Sequence, residues 1–249
     1  MKKNLSFPLI CLFLVMLFSC SEKPPAHNTL TKAEIEEGWE LLFDGETLDG
    51  WRSFQEEGVT GWVVEDGTLK ALGNGTESTG DIITADQYEN FELKLDWKIA
   101  PEGNSGILYM VLEDTFKRIF ETGPEYQLLD DVGFPPYYID EKSGDTIPIQ
   151  DVQRTAANYD MHVAENKELK PVGEWNTAKI LIDNGHVEHW LNGKKVVEYE
   201  LWSEDWKERL NASKWKDFPA YASASKGHIS FQDHGSMVWF RNIKIREIQ

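Results

Sequence analysis

Between residues 91 and 99 the chain reads FELKLDWKI, with Phe91, Leu93, Leu95, Trp97 and Ile99 alternating strictly with Glu92, Lys94, Asp96 and Lys98. A period of two gathers every apolar side chain on one face of an extended strand, whereas a helix would spread them around its circumference. A strand with one dry face and one wet face needs a second layer to cover the dry one. Shorter candidates surround it: GWELLF, GWVVE, GTLKAL, DIITA, SGILYMVL, EYQLLD, TAKILID, HVEHWL, KKVVEYE, HISFQD and VWFRNIKIRE. Asp66-Gly67, Asn184-Gly185 and Asn192-Gly193 fall between pairs of these, where a tight hairpin needs residues that tolerate positive φ. Roughly a dozen short strands with close turns predict an all-β antiparallel sandwich or jelly roll. Ser203, followed by Glu204, Asp205 and Trp206, has the form of a capped helix start and predicts one short helix.

The first residues follow a different logic. Lys2 and Lys3 precede the apolar run Phe7 to Phe18, which is too short to span a bilayer, and Ser19-Cys20 closes it. This is an export signal, and Leu17-Phe18-Ser19-Cys20 resembles a bacterial lipoprotein box in which Cys20 becomes the lipidated first residue. The expected organisation is a leader over 1–19, a polar tether over 20–37 and a single domain over 38–249, reaching the membrane through its lipid alone. The only other cysteine is Cys11, so the body holds neither a disulfide nor a cysteine metal site.

Forty-three acidic side chains against 25 basic ones give a formal net charge of -18, and loss of Lys2 and Lys3 takes it to -20. Such a surface excludes partners held by phosphate neutralisation, nucleic acid first among them. Aromatic residues make up 12% of the chain, which suits stacking on neutral ligands such as sugars as well as filling a core. One long stretch, residues 131–158, is interrupted by prolines and poor in periodicity, and a long loop on a rigid sandwich is a usual place for function.

Several segments together, LFDGETLDGW, GNSGILY, GPEYQLLDD, RTAANYD, PVGEWNTAKI, HWLNGKKVVEYE and GHISFQDHGSMVWFRNIKI, closely resemble the 3-keto-disaccharide hydrolases. That domain is also described as a 3-keto-glucoside 1,2-lyase and 3-keto-2-hydroxy-glucal hydratase. The resemblance covers nearly all of 38–249 and implies a concanavalin A-like sandwich related to laminarinase-type glucanases. It also implies a carbohydrate substrate already oxidised at C3. In such a substrate the C2 proton is acidified by the ketone, so elimination at C1 followed by hydration gives net hydrolysis.

Strand parity then selects site residues. Glu125 and Gln127 share a face, ~7 Å apart, with Tyr126 and Leu128 on the core side. Asp130 points the other way unless a bulge turns it. Compared with the paired-carboxylate strand of laminarinase-type enzymes, Gln127 replaces an acid, which disfavours a retaining mechanism. Likewise Ser230, Gln232 and His234 share the face opposite Ile229 and Phe231. The expected catalytic set is Glu125 or His234 as base and Arg154, or a bound divalent cation, as enolate stabiliser. The expected sugar ligands are Gln127, Gln232, Asp130, Asn104 with its neighbour Ser105, Tyr159 and His189, although His189 equally suits packing under the sheet. His162, His186 and His228 are expected to face solvent. A cation held by Glu125, Asp130 and a His could be Mg, Ca, Mn or Zn by ligand type. Two other readings stay open: a conventional laminarinase-like glycosidase, and a carbohydrate-binding sandwich without catalysis.

Overall fold

In the computed structural model FELKLDWKI forms a strand over Phe91–Ile99 whose apolar side chains are all 3% exposed or less. The structure describes residues 26–73, 80–114, 116–139 and 143–248. The leader, Cys20 and the first residues of the tether therefore lie outside the described residues. Two antiparallel sheets face each other. The larger follows the order β13 (Lys194–Glu200), β12 (His186–Leu191), β11 (Asn176–Asp183), β6 (Phe91–Ile99), β15 (Val238–Glu247), β4 (Thr68–Ala71), β3 (Trp62–Glu65), with β1 (Glu40–Leu41) also paired to β15. The smaller runs β2 (Trp51–Ser53), β5 (Ile82–Thr84), β14 (His228–Phe231), β7 (Asn104–Val111), β8 (Glu125–Leu129).

Aromatic rings join the layers. Phe231 of the small sheet stacks on Phe240 of the large one with centroids 4.1 Å apart, Trp51 stacks on Phe231 at 4.9 Å, and Trp62 on Phe240 at 6.1 Å. The three dipeptides named above have positive φ at both residues, between 50° and 91°, as the mirror-image hairpin turns require. At the end of β7, His228 pairs with Val111 but Ser230 pairs with Leu108, and Met110 takes φ 59° to accommodate the extra residue. The bulge keeps Tyr109 and Met110 in the main core while Leu108 and Val111 both turn to the outer face, into a small second cluster with Ile83 and Ile119.

The helix read from Ser203 is α2 (Glu204–Ala212), its cap accepting from the Trp206 N–H at 3.1 Å. Three features differ from the sequence reading. The stretch 131–158 contains a hairpin of β9 (Tyr137–Ile139) and β10 (Thr146–Pro148), whose exposed side chains carry little alternation to read. A second helix, α1 (Lys32–Glu36), begins at a Thr31–Glu34 capping box. Residues 26–37 are accordingly not free tether. The Asn28 N–H donates to Asn242 Oδ1 at 2.7 Å, and the Asn242 N–H returns a bond to Asn28 Oδ1 at 2.8 Å. Glu34 pairs with Lys244. Among the described residues no helix is long and apolar enough to cross a membrane.

Candidate active site

β8 lies at the edge of the small sheet, and its outward side chains make the floor of a recess. Leu108 of β7 is paired with Glu125, and Gly106 with Gln127. The Gln232 N–H extends β14 by donating to the Gly106 carbonyl at 2.9 Å. Gly106 is the gap in this row: a Cβ built there would overlap the Glu125 carboxyl, so the acid lies across the neighbouring strand where no side chain stands. The free edge of β8 is closed by 154–159. Ala156 N–H donates to Gln127 O at 2.8 Å, Gln127 N–H to Ala157 O at 3.1 Å, and Thr155 Oγ1 both accepts from Leu129 N–H at 3.0 Å and donates to Leu129 O at 2.7 Å.

The wall comes from the segment after α2. Ser213 caps a 3-10 turn over Lys214–Asp217 by accepting from Trp215 N–H at 3.2 Å. Trp215 Nε1–H then donates to the Tyr159 carbonyl at 2.9 Å. Trp215 is the end of an aromatic column in which it stacks on Tyr221 at 4.4 Å, Tyr221 on Trp206, Trp206 on Tyr199 and Tyr199 on His162. A recess of about 120 Å³ results, lined by Asn104, Phe120, Glu125, Gln127, Tyr159, Lys214, Trp215, Gln232 and His234. This is below the roughly 300 Å³ of a closed small-molecule pocket and suits part of a sugar ring. A larger hollow of about 450 Å³, bordered by His162, Lys195, Glu198 and Arg209, gathers none of these groups.

The Glu125 carboxyl is 5% exposed as a residue and receives no hydrogen bond from the described residues. Burial pushes its pKa up to about 8, with the Lys214 ammonium pulling it down and the Asp81 carboxylate adding to the rise. Lys214 reaches the recess by its tip, 4.4 Å from the Tyr159 ring centroid and 4.5 Å from that of Trp215. Although the residue is exposed at the surface, crowding of the ammonium pushes its pKa down, opposed by Asp160 and Glu125. The amides are set by their neighbours. Gln127 Nε2 donates to Asn104 Oδ1 at 3.3 Å, which leaves the Asn104 amino group for a ligand. Among the described residues Gln232 bonds through its backbone alone, to Gly106 and Ser105, which leaves both ends of its amide for a ligand.

Of the residues expected from sequence, Glu125, Gln127, Gln232, His234, Asn104 and Tyr159 therefore meet at one recess. Six residues depart from the expectation. Asp130 follows parity without a bulge and caps its own loop, accepting from the Glu102, Val132 and Gly133 N–H groups at 2.9, 3.3 and 2.9 Å. Arg154 donates to the Asp131 carbonyl at 2.9 Å and pairs with Asp151 at 3.6 Å, and it does not line the recess. His189 is fully buried between the sheets, its Nδ1 at 3.0 Å from the Ala156 carbonyl and its Nε2 at 3.0 Å from the Tyr109 hydroxyl. Desolvation pushes its pKa to about 3, so it stays neutral. His162 and His228 are also buried, at 7% and 6% exposure, the first stacked on Tyr199 and the second held by Thr84 and Gln87. Ser105 is buried as well, donating to the Gln232 carbonyl at 2.8 Å.

Sequence reasoning missed Lys214, Trp215 and Phe120. Lys214 follows a cap serine like many surface lysines, and no periodicity links it to Glu125. With Asp130 turned away, the cation site expected from Glu125, Asp130 and a His is not assembled. Among the described residues, His186, Glu188 and Glu198 do bring ligand atoms within 4.8 Å of one another. They sit on the outer face of the large sheet, and Lys195 already occupies them, 3.0 Å from Glu188 and 2.7 Å from Glu198.

Comparison with known proteins adds the following. Residues 38–246 match a family model described as a 3-keto-alpha-glucoside-1,2-lyase-like domain. A 3-keto-disaccharide hydrolase of Bacteroides thetaiotaomicron is 34% identical, over 98% of this chain and 99% of that protein. Two crystal structures from Parabacteroides distasonis, both assigned as glycosyl hydrolases, share the fold. One is 46% identical with a TM-score of 0.82, covering 90% of this chain and 100% of that one. The other is 30% identical with a TM-score of 0.61, covering 84% and 99%.

Proposed function

The chain belongs to the 3-keto-alpha-glucoside-1,2-lyase-like family, and from that premise we propose that it cleaves glycosides already carrying a ketone at C3, by elimination and rehydration. Glycoside cleavage comes with the family. The observation that supports a ketone substrate is Glu125: a buried carboxyl that receives no hydrogen bond from the described residues and feels the Lys214 ammonium, with the acid just beyond its strand, Asp130, turned away. A retaining glycosidase needs two carboxyl groups about 5 to 5.5 Å apart, and β8 does not supply them.

Proton abstraction next to a ketone needs less. In this reading the ionised Glu125 takes the C2 proton, and the electrons move into the C3 carbonyl. Lys214, in place of the expected Arg154, steadies the oxygen that becomes negative. The C1–O bond then breaks, the departing alcohol takes up a proton, and water adds to C1 while a proton returns to C2. Asn104, Gln127, Gln232 and the rim residue His234 hold the hydroxyls, and the rings of Tyr159, Trp215 and Phe120 exclude water around them. A carboxylate with a pKa near 8 is only about one-tenth ionised at pH 7, but it is a stronger base than an ordinary one.

The test offers a 3-keto-glucoside and its unoxidised parent side by side in heavy water. Cleavage of the ketone, with deuterium at C2 of product quenched early and in excess of authentic 3-keto sugar incubated without enzyme, is the expected outcome. Cleavage without that excess overturns elimination, cleavage of the parent alone favours a conventional glycosidase, and binding without turnover favours a sugar-binding module.

A further inference from the structure

The register of the small sheet extends beyond the recess. β14 pairs with β5 through Ser230–Ile83 and Phe231–Ile82, and one step further Gln232 comes opposite Asp81. The Asp233 N–H donates to Asp81 Oδ1 at 2.9 Å and the Phe54 N–H to the Asp81 carbonyl at 2.8 Å, which fixes Asp81 at this position. Asp81 precedes Ile83 by two residues, and Ile83 belongs to the outer cluster with Leu108. The Asp81 side chain is therefore on the face that carries Glu125. One row across the sheet reads Asp81, Gln232, Gly106, Gln127, with the Glu125 carboxyl laid over Gly106. The two acids flank Gln232, one from each side. From Gly106 to Asp81 is two strand spacings, about 10 Å at the backbone, and the Glu125 carboxyl already leans over Gly106; Asp81 stands just beyond Gln232, next to the residues that line the recess and not among them.

We propose that Asp81 is the second catalytic carboxyl of this site, the donor that protonates the C1 oxygen as it leaves and the base that activates water for its return. The assignment rests on the reading given under Proposed function and deepens it. A base one hydrogen bond from the C2 proton and an acid one hydrogen bond from the C1 oxygen stand roughly 7 Å apart across one edge of the ring. Protons balance over the cycle. Glu125 gains one from C2, Asp81 gives one to the alcohol, water then loses one to Asp81 as it bonds to C1, and Glu125 returns its own to C2.

Charge agrees with this order. Lys214 draws the Glu125 pKa down and Asp81 raises it, so Glu125 feels both a cation and a second acid. Burial raises the Asp81 pKa to about 7, helped by Asp233 and opposed by the Asp233 N–H bond and by Arg118. Arg52, also on this face, is taken up by Glu113. The pair thus titrates around neutrality, and a bell-shaped rate profile with limbs near 7 and 8 belongs to both acids together.

The experiment uses the full chain and two 3-keto-glucosides, one with a methyl aglycone and one with a nitrophenyl aglycone that departs without protonation. Asp81→Asn keeps an oxygen for the Asp233 N–H. In the first turnover it is expected to lower the rate of aglycone release ~10²- to 10³-fold from the methyl glycoside and by no more than about tenfold from the nitrophenyl glycoside, to slow the later hydration for both alike, and to lose the alkaline limb of the pH profile for methyl glycoside cleavage. Should the asparagine variant not fold by circular dichroism, Asp81→Ser presents a shorter acceptor to the same N–H and is read in the same way. His234→Ala is the control, expected to lose both substrates equally. Equal loss of first-turnover aglycone release from both substrates in the Asp81 variant, no loss on either, or rescue confined to His234→Ala overturns the assignment. Wild-type cleavage of the unoxidised parent alone would instead overturn the underlying reading.

Discussion

Glu125 shows what one buried carboxyl costs and what it permits. In the unfolded chain it titrates near 4.5, and in the fold near 8. Between those values the folded protein holds a proton that the unfolded chain has released. The group's contribution to stability is therefore full below pH 4.5 and declines as pH rises to about 8. Glu125→Gln removes the titration, so it should match wild type near pH 4.5 and exceed it at pH 8 by on the order of a few kcal/mol in denaturant unfolding, while turnover falls at least ~10²-fold. Parallel stability curves at the two pH values would show that burial is not what shifts the group. Parity in EYQLLD was enough to place Glu125 and Gln127 together, whereas it left Asp130 open to a bulge that the loop after β8 does not make. Lys214 was beyond reach, because its relation to Glu125 passes through a cap at Ser213 and a bond from Trp215 to Tyr159, and neither has a period.

Among elements, β8 is the one whose environment the strand pattern least foretells. All five of its residues are buried although it is an edge strand, because 154–159 runs along its free side. The motif RTAANYD reads as a source of site residues, yet most of it serves the backbone of β8. Thr155 carries the clearest share, with its hydroxyl on both the N–H and the carbonyl of Leu129. Thr155→Val keeps the shape and leaves two buried backbone groups without a partner, at a cost of about 2 to 4 kcal/mol. A drop in melting temperature together with concentration-dependent aggregation is expected, since the same change uncovers a strand edge. Unchanged stability would place the closure of that edge in the backbone bonds of Ala156, Ala157 and Tyr159.

At the scale of the molecule, the sandwich was legible because alternation and turn chemistry are local. The joint between residues 28 and 242 was not, because its partners are 214 positions apart and asparagines occur in many loops. The anchor belongs to this scale too. We expect Cys20 to be lipidated, so the protein should partition with membranes and Cys20→Ala should release it to the soluble fraction. A wild-type protein already found soluble, cleaved elsewhere than before Cys20, would refute this. The asparagine joint then acquires a mechanical meaning. Residues 26–34 rest on the outer face of the large sheet, beside Lys94, Asp96 and Lys244, whereas the recess opens on the outer face of the small one. Only residues 21–25 separate Cys20 from that docked segment, a leash of at most about 20 Å. A lipid at one end and the joint at the other would moor the large sheet toward the bilayer, where a charge of -20 on the chain without Lys2 and Lys3 resists close contact with acidic headgroups. The mouth of the recess would look outward, toward arriving sugars.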